Sequence, residues 1–486
     1  MRVLFLVFVV FSSTLKAQNT LGLEYQRNLE RVNLSNFKDL ILSNSSFLLT
    51  KSLGPYRFGY GLEIQEAVSG EFGGLYVFGL TSDFDYKIKK LPISLNFNGF
   101  IGGGGGASAP DGSGLAHRYA FGFKAHFSQN SSLLARYSLY DFPTGNIGGN
   151  QIQLGFSYGF KGIFNSNIIS SSIAKQSVSV HSMFVKLDAN DSNNLDADYT
   201  SKFISVQYAS YINEKVEGLI RLQAAISSQI DGFMGYYSGL SFTALKQKYF
   251  SWKFSTLLGS CGGGAMNTSG GLAYLLETGI DFTFLNQTLS ISRGYNASYM
   301  GSFSANYVQF GIKYNFESSI LFGSKGEMID SFEGFKQNNI SVKTGLEVHH
   351  APNAIDYNGL LYENMSLIYF GLSYPIHNKL DILGETRWAM GGNYGAYAEG
   401  IIGFSTPLFK YRKLSINCPV KMVVAGGGGI NVGKGVGIQL NLSADYQLSN
   451  TGSFSFTIGK LNMIDGNYNP VSLNFSIKQN LSFYKR

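Results

Sequence analysis

The chain has 486 residues, a net charge of +7 and only 14% charged residues, where soluble domains usually carry about 25%. Its 38 Lys and Arg are dispersed and form no basic block, which excludes a nucleic-acid-binding protein of the usual kind. Aromatic residues reach 15%, with 59 Gly and 9 Pro. Apolar residues are therefore spread among small polar ones, as in strands with one lipid face and one wet face. A secreted β-solenoid or fibrous surface protein shares this composition.

The chain opens with Met1 and Arg2, the apolar run VLFLVFVVF (residues 3–11) and the polar stretch SSTLKAQ. Charge, a short apolar stretch and small residues, in that order, are the pattern of a secretory signal peptide over residues 1–17. Beyond it, no uncharged apolar run reaches the ~18 residues that a membrane-crossing helix needs.

Three glycine runs then mark a repeat: GGGGGASAPDGSG from Gly102, CGGGAMNTSGG from Cys261 and GGGGINVGKGVG from Gly426. Each is followed by two strand-like segments, a loop rich in Gly and Asn, and a closing strand with strict alternation. The closing segments are QIQLGFSYGF, YVQFGIKYNF and VSLNFSIKQNLSF, with phenylalanines at Phe160, Phe316 and Phe483. Such a period implies three copies of one unit. The reading places repeat 1 at 18–160, a linker at 161–177, repeat 2 at 178–316, a linker at 317–339 and repeat 3 at 340–486. In the first copy, eight strands are expected to start near Leu21, Phe47, Tyr56, Gly73, Ile93, Arg118, Leu133 and Gln151.

In the first closing strand, Ile152, Leu154, Phe156, Tyr158 and Phe160 share one face, and Gln151, Gln153, Gly155, Ser157 and Gly159 the other. A soluble sandwich would alternate in the same way. An unbroken apolar face, bracketed by aromatics and with no helical stripe to cover it, favours lipid. Closure into a barrel would satisfy every backbone group that lipid cannot. Loops alternate with tight turns such as LGP, KIKKLP and SQNSS, so the two kinds should lie at opposite ends. The turn after each fourth strand is basic: Lys87, Lys89 and Lys90; Lys246 and Lys248; Lys410, Arg412 and Lys413.

On these features the chain resembles bacterial outer-membrane β-barrel proteins, over nearly its whole mature length and by pattern alone. The resemblance implies an all-β, antiparallel transmembrane barrel in the outer membrane of a Gram-negative cell, with outer-membrane lipid and other envelope proteins as partners. It departs from the class at its end, where Phe483 and Tyr484 are followed by Lys485 and Arg486. Two arrangements of about 24 strands are open. The expected one is a single ring built from the three repeats, because edge-free closure favours it; the alternative is three tandem eight-stranded barrels, which the long linkers favour.

Two functions follow from different classes: a passive pore or export channel, and a structural or adhesive surface barrel without transport. An enzyme is not expected, and neither is a cofactor. His349 and His350 are adjacent on a strand, so their side chains oppose and cannot share a metal. The segment DANDSNNLDAD offers Asp188, Asn190, Asp191, Asp196 and Asp198 as oxygen ligands for Ca²⁺, against an ordinary hydrophilic loop. The glycine runs lack the Gly-Lys-Ser/Thr of a phosphate cradle; a loop that bends tightly or packs over a pore mouth accounts for them. Arg57, Glu63, Lys124, Arg136, Glu277, Asp281 and Lys313 are expected to face inward, lining a channel or filling it. Cys261 and Cys418 should both stay free.

Overall fold

A computed structural model describes residues 21–32 and 40–485 except 165–170, 191–195, 198–199, 227–229, 231, 265, 285–286, 319–326, 330–334, 353, 355–358, 360–363, 378, 393 and 450. The signal-peptide segment therefore lies outside the described residues. Every long element is an antiparallel strand, and the described residues contain no helix long and apolar enough to cross a membrane.

The first eight strands are Leu21–Val32, Leu40–Leu53, Tyr56–Ser69, Tyr76–Lys87, Ile93–Gly105, Ala116–His126, Ser131–Asp141 and Gly148–Phe164. The second eight are Ser171–Asn190, Thr200–Tyr211, Val216–Ala225, Met234–Lys246, Phe250–Gly262, Leu272–Phe284, Gln287–Ser298 and Ser304–Ser318. The third eight are Lys336–His350, Met365–His377, Leu380–Gly391, Ala398–Tyr411, Leu414–Gly426, Val436–Gln447, Gly452–Met463 and Val471–Lys485. Two further pieces, Asp196–Ala197 and Glu327–Ile329, pair along the edge of Ser171–Asn190.

Each unit closes on itself. In the first, strand one pairs with strand eight from Leu23↔Phe160 to Glu30↔Gln153. In the second, the pairing runs from Ser304↔Asp188 to Ser318↔Ala174. In the third, it runs from Lys336↔Lys485 to His350↔Val471. Between the second and third units the eighth strands share one bridge, Ser318↔Lys485. Of the two arrangements open from sequence, the pairings are those of three tandem eight-stranded barrels. Each eighth strand finds an edge in its own first strand, so closure leaves no edge for a neighbouring unit to extend.

The first linker is mostly strand, because the eighth strand runs to Phe164 and the next begins at Ser171. The second strand starts at Leu40, well before Phe47, through the polar run LSNSS. Turn parity holds: the tight turns at 54–55 and 88–92 share one end, and the Gly-rich loops share the other.

The barrels are joined into a ring through glycines. A Cβ built on Gly262, in the fifth strand of the second barrel, would stand 2.4 Å from the backbone of Gly73 in the first. One on Gly103, in the fifth strand of the first, would stand 2.5 Å from the Ala389 carbonyl of the third. Gly426, in the fifth strand of the third, abuts Gly232 of the second, its Cβ position 3.3 Å from that amide nitrogen. Every fifth strand thus meets the end of strand three, or the loop after it, on a neighbour. This head-to-tail contact closes after three units, as a cyclic trimer does. Where the three meet, Tyr76, Tyr236, Ile368 and Trp388 are buried together. The glycine runs make the inter-barrel contacts, and the positive φ of Gly263, Gly264, Gly427 and Gly428 supplies the tight bend expected of them.

Candidate functional site

The outward and inward faces of the strands differ in chemistry as sharply as the alternation requires. Outward side chains are large, apolar and exposed: Phe121 at 61%, Ile152 at 68%, Leu258 at 64% and Phe475 at 60%. A water-exposed surface does not carry such a continuous apolar belt, whereas a lipid-facing barrel requires one.

Inward, the lumens are filled. Among the largest fully buried side chains are four arginines, Arg118, Arg136, Arg221 and Arg387. In the first barrel Arg118 donates to Glu63 at 2.9 Å and to Asn98 at 2.7 Å. Arg136 donates to Gln153 at 2.9 Å and sits 3.3 Å from Asp83. Lys124 lies 2.7 Å from Glu24, and Arg57 pairs with both Glu24 and Asp85.

In the second barrel Arg221 contacts Glu277 at 2.9 Å, and the Tyr307 hydroxyl and Gln309 amide each donate to that carboxylate at 2.8 Å. Lys313 and Lys253 share Asp281 at 2.9 and 3.0 Å, and Lys253 also reaches Glu217 at 2.6 Å. In the third, Arg387 is held by Glu399 at 2.6 Å and Glu347 at 3.0 Å, while Lys421 meets Glu385 at 2.6 Å. A cavity of about 30 Å³ lies there between Lys343, Lys421, Asp445 and Lys478, room for about two waters. An eight-stranded barrel is just wide enough for its own side chains to fill.

Every residue assigned inward from sequence is inward: Arg57, Glu63, Lys124, Arg136, Glu277, Asp281 and Lys313. Each meets an opposite charge: Asp281 and Lys313 meet each other, and the rest meet further lumen residues. Sequence reasoning missed Arg118, Arg221 and Arg387. Each shares its strand's inward register with another charge, Lys124, Glu217 and Glu385 respectively, which was the available signal.

The neighbouring histidines diverge as strand geometry demands. His349 points into the third lumen, its Nδ1 2.9 Å from the Tyr468 hydroxyl and its Nε2 3.0 Å from Glu347. His350 is exposed beside Asn364. They end strand one of the third barrel. Of the Ca²⁺ candidates, Asp188 is exposed on strand one of the second barrel. The backbones of Asn190 and Asp196 pair with each other, and Asp191 and Asp198 lie outside the described residues. Among the described residues no group of three His, Cys, Asp or Glu is placed to hold a metal. Both cysteines are free, Cys261 buried and Cys418 half-buried.

One titratable group at the loop end stands out. Burial pushes the Asp111 carboxyl up to about 6, against the opposing pull of the Gly106 N–H, which donates to it at 2.8 Å. Its Oδ1 would be 2.9 Å from a Cβ on Gly395, so the loop of the third barrel packs over it.

Closed antiparallel strands, an apolar outer belt and polar interiors define a transmembrane β-barrel protein, here with three barrels in one chain. No family model matches the chain, and no curated protein is similar to it. Solved structures with similarity include the siderophore receptor PirA from Pseudomonas aeruginosa, 10% identical, covering 94% of this chain and 80% of that one at a TM-score of 0.29. PirA from Acinetobacter baumannii is 10% identical, over 96% and 81%, at 0.30. OccK11 (OpdR) from Pseudomonas aeruginosa is 8% identical, over 96% of both chains, at 0.22. At these values the class rests on the geometry above.

Proposed function

We propose that this protein is a structural or adhesive component of a bacterial outer membrane, a three-barrel platform that displays its loops and conducts no solute. The observation that carries the reading is the filling of all three lumens by paired, buried charges, with Arg118, Arg221 and Arg387 each clamped by carboxylates. Opening such a path would break buried ion pairs, at about 3–5 kcal/mol for each pair that loses one partner. A second support is the junction. Fusing three barrels through glycine backbone contacts fixes the loops on one rigid base, which presentation needs and conduction through separate lumens does not.

The protein should insert in planar bilayers without adding steady conductance. A stable channel at neutral pH would restore the alternative, a passive pore or export channel. An enzymatic role has no support from the sites described above.

A further inference from the structure

We infer that the outer face of the second barrel holds a phosphorylated, multiply acylated lipid, bound by a basic cluster that exists only because this barrel closes on itself. The inference rests on the membrane reading above. Arg293 on strand seven, Asn306 on strand eight, Lys186 on strand one and Lys202 on strand two all point outward and are exposed. These four strands are consecutive around the barrel. Arg293 lies opposite Val308 and Val308 opposite Phe184, while Phe184 lies opposite Lys202 and Asn306 opposite Lys186. With about 4.8 Å between neighbouring strands, the three cations fall within roughly 15 Å of one another. Without the pairing of strand eight to strand one, Arg293 and Lys186 would be six strands apart.

A cation on the lipid face is costly at the bilayer centre and less so towards the headgroups. The first barrel accepts no such cost in its seventh strand, where the exposed outward residues include Leu133, Tyr137 and Leu139; the third has a single outward cation there, Lys460, which donates to the Asn469 carbonyl. Here the cluster lies beside Tyr295, whose ring is 6.2 Å from that of Tyr274, as in an aromatic girdle at headgroup depth.

Next to Arg293 runs an open groove of about 490 Å³, walled by Phe242, Phe254, Leu276 and Tyr295. A guanidinium fork and two ammonium groups suit a phosphate, with the Asn306 amide as a further donor. The groove suits an acyl chain leaving that phosphate. Asp188, two residues loopward of Lys186 on the same face, bounds the patch. Charge complementarity together with the groove selects a lipid over a soluble anion.

The test uses the full mature chain in phosphatidylcholine nanodiscs, titrated with diphosphoryl lipid A while bound lipid is counted by native mass spectrometry. Wild type should retain diphosphoryl lipid A at least tenfold more tightly than its dephosphorylated form. The triple variant Arg293→Gln, Lys186→Gln, Lys202→Gln should lose that preference, and Arg293→Lys should keep most of it. All three side chains are exposed, so the variants should insert as wild type does. Equal retention by the triple variant overturns the site. Competition by millimolar inorganic phosphate alone also overturns it, in favour of a simple anion site. Failure of the wild type to insert overturns the membrane reading, whereas insertion without charge-dependent retention overturns this inference only.

Discussion

Gly262 of the second barrel lies against Gly73 of the first so closely that a Cβ on Gly262 would stand 2.4 Å from the Gly73 carbonyl carbon. The Gly73 N–H completes the contact by donating to the Ser269 carbonyl at 2.6 Å. Backbone stands on both sides, so no flexible side chain can yield. Gly262→Val should cost about 1–3 kcal/mol, the usual range for overpacking, and lower the thermal midpoint of the detergent-folded protein. Gly384→Ala, at a strand position with nothing within 4 Å of its Cβ, should leave the midpoint unchanged. Equal melting of the two variants would remove the glycine junction as a stabilising contact.

The first two lumens use one ion pair in opposite senses. Glu63 on strand three meets Arg118 on strand six in the first barrel, and Arg221 on strand three meets Glu277 on strand six in the second. Arg221→Met would leave Glu277 buried without its cation, and urea titration should show a loss of about 3–5 kcal/mol. The double variant Arg221→Met, Glu277→Leu should recover most of that loss, since a buried pair is often replaceable by apolar residues of similar volume. A double variant as unstable as the single one would count against the pairing.

Asp111 gives a pH dependence of defined sign. Its carboxyl is raised to about 6 by burial, above the ordinary value of about 3.9. The fold therefore favours the neutral acid. Its stabilising contribution is complete below about pH 4 and is lost as pH rises through about 6. Thermal midpoints of wild type and Asp111→Asn, measured from pH 4 to 7, should diverge, with wild type declining relative to the variant. Parallel profiles would contradict burial of the carboxyl beneath the Gly395 loop.

Much of this architecture is legible in the sequence, because a membrane strand must separate its two faces. Ile152 to Phe156 and Val308 to Ile312 alternate without interruption, and charges such as Glu63 and Asp281 fall in the inward register. The upper half of strand two was not legible. Ser43 and Ser45 point outward yet are buried, on the side of the first barrel that carries Tyr25 and Arg27; Asn44 and Ser46 fill the lumen. With both faces polar, no alternation appears. The role of the glycine runs was hidden for a related reason. Gly262 is selected by Gly73, on another barrel, and local pattern carries no trace of a partner so distant in sequence. Closure was undecidable from periodicity, since an eighth strand looks the same whether it pairs with its own first strand or the next one.

Closure within each unit underlies the sealed lumens, the glycine ring and the basic cluster alike, so it is the claim to test most directly. Val180 on strand one and Ile312 on strand eight of the second barrel are paired in register and both face outward. Directly opposed residues have Cα atoms about 4.5–5.5 Å apart, within disulfide reach. With Cys261 and Cys418 replaced by Ala, the variant Val180→Cys, Ile312→Cys should form an intramolecular disulfide in the folded protein under mild oxidation, read by mass spectrometry after proteolysis. In a single ring these positions would be seven strands apart, roughly 30 Å at about 4.8 Å per strand. Two thiols that remain free in the folded protein would contradict three self-closed barrels.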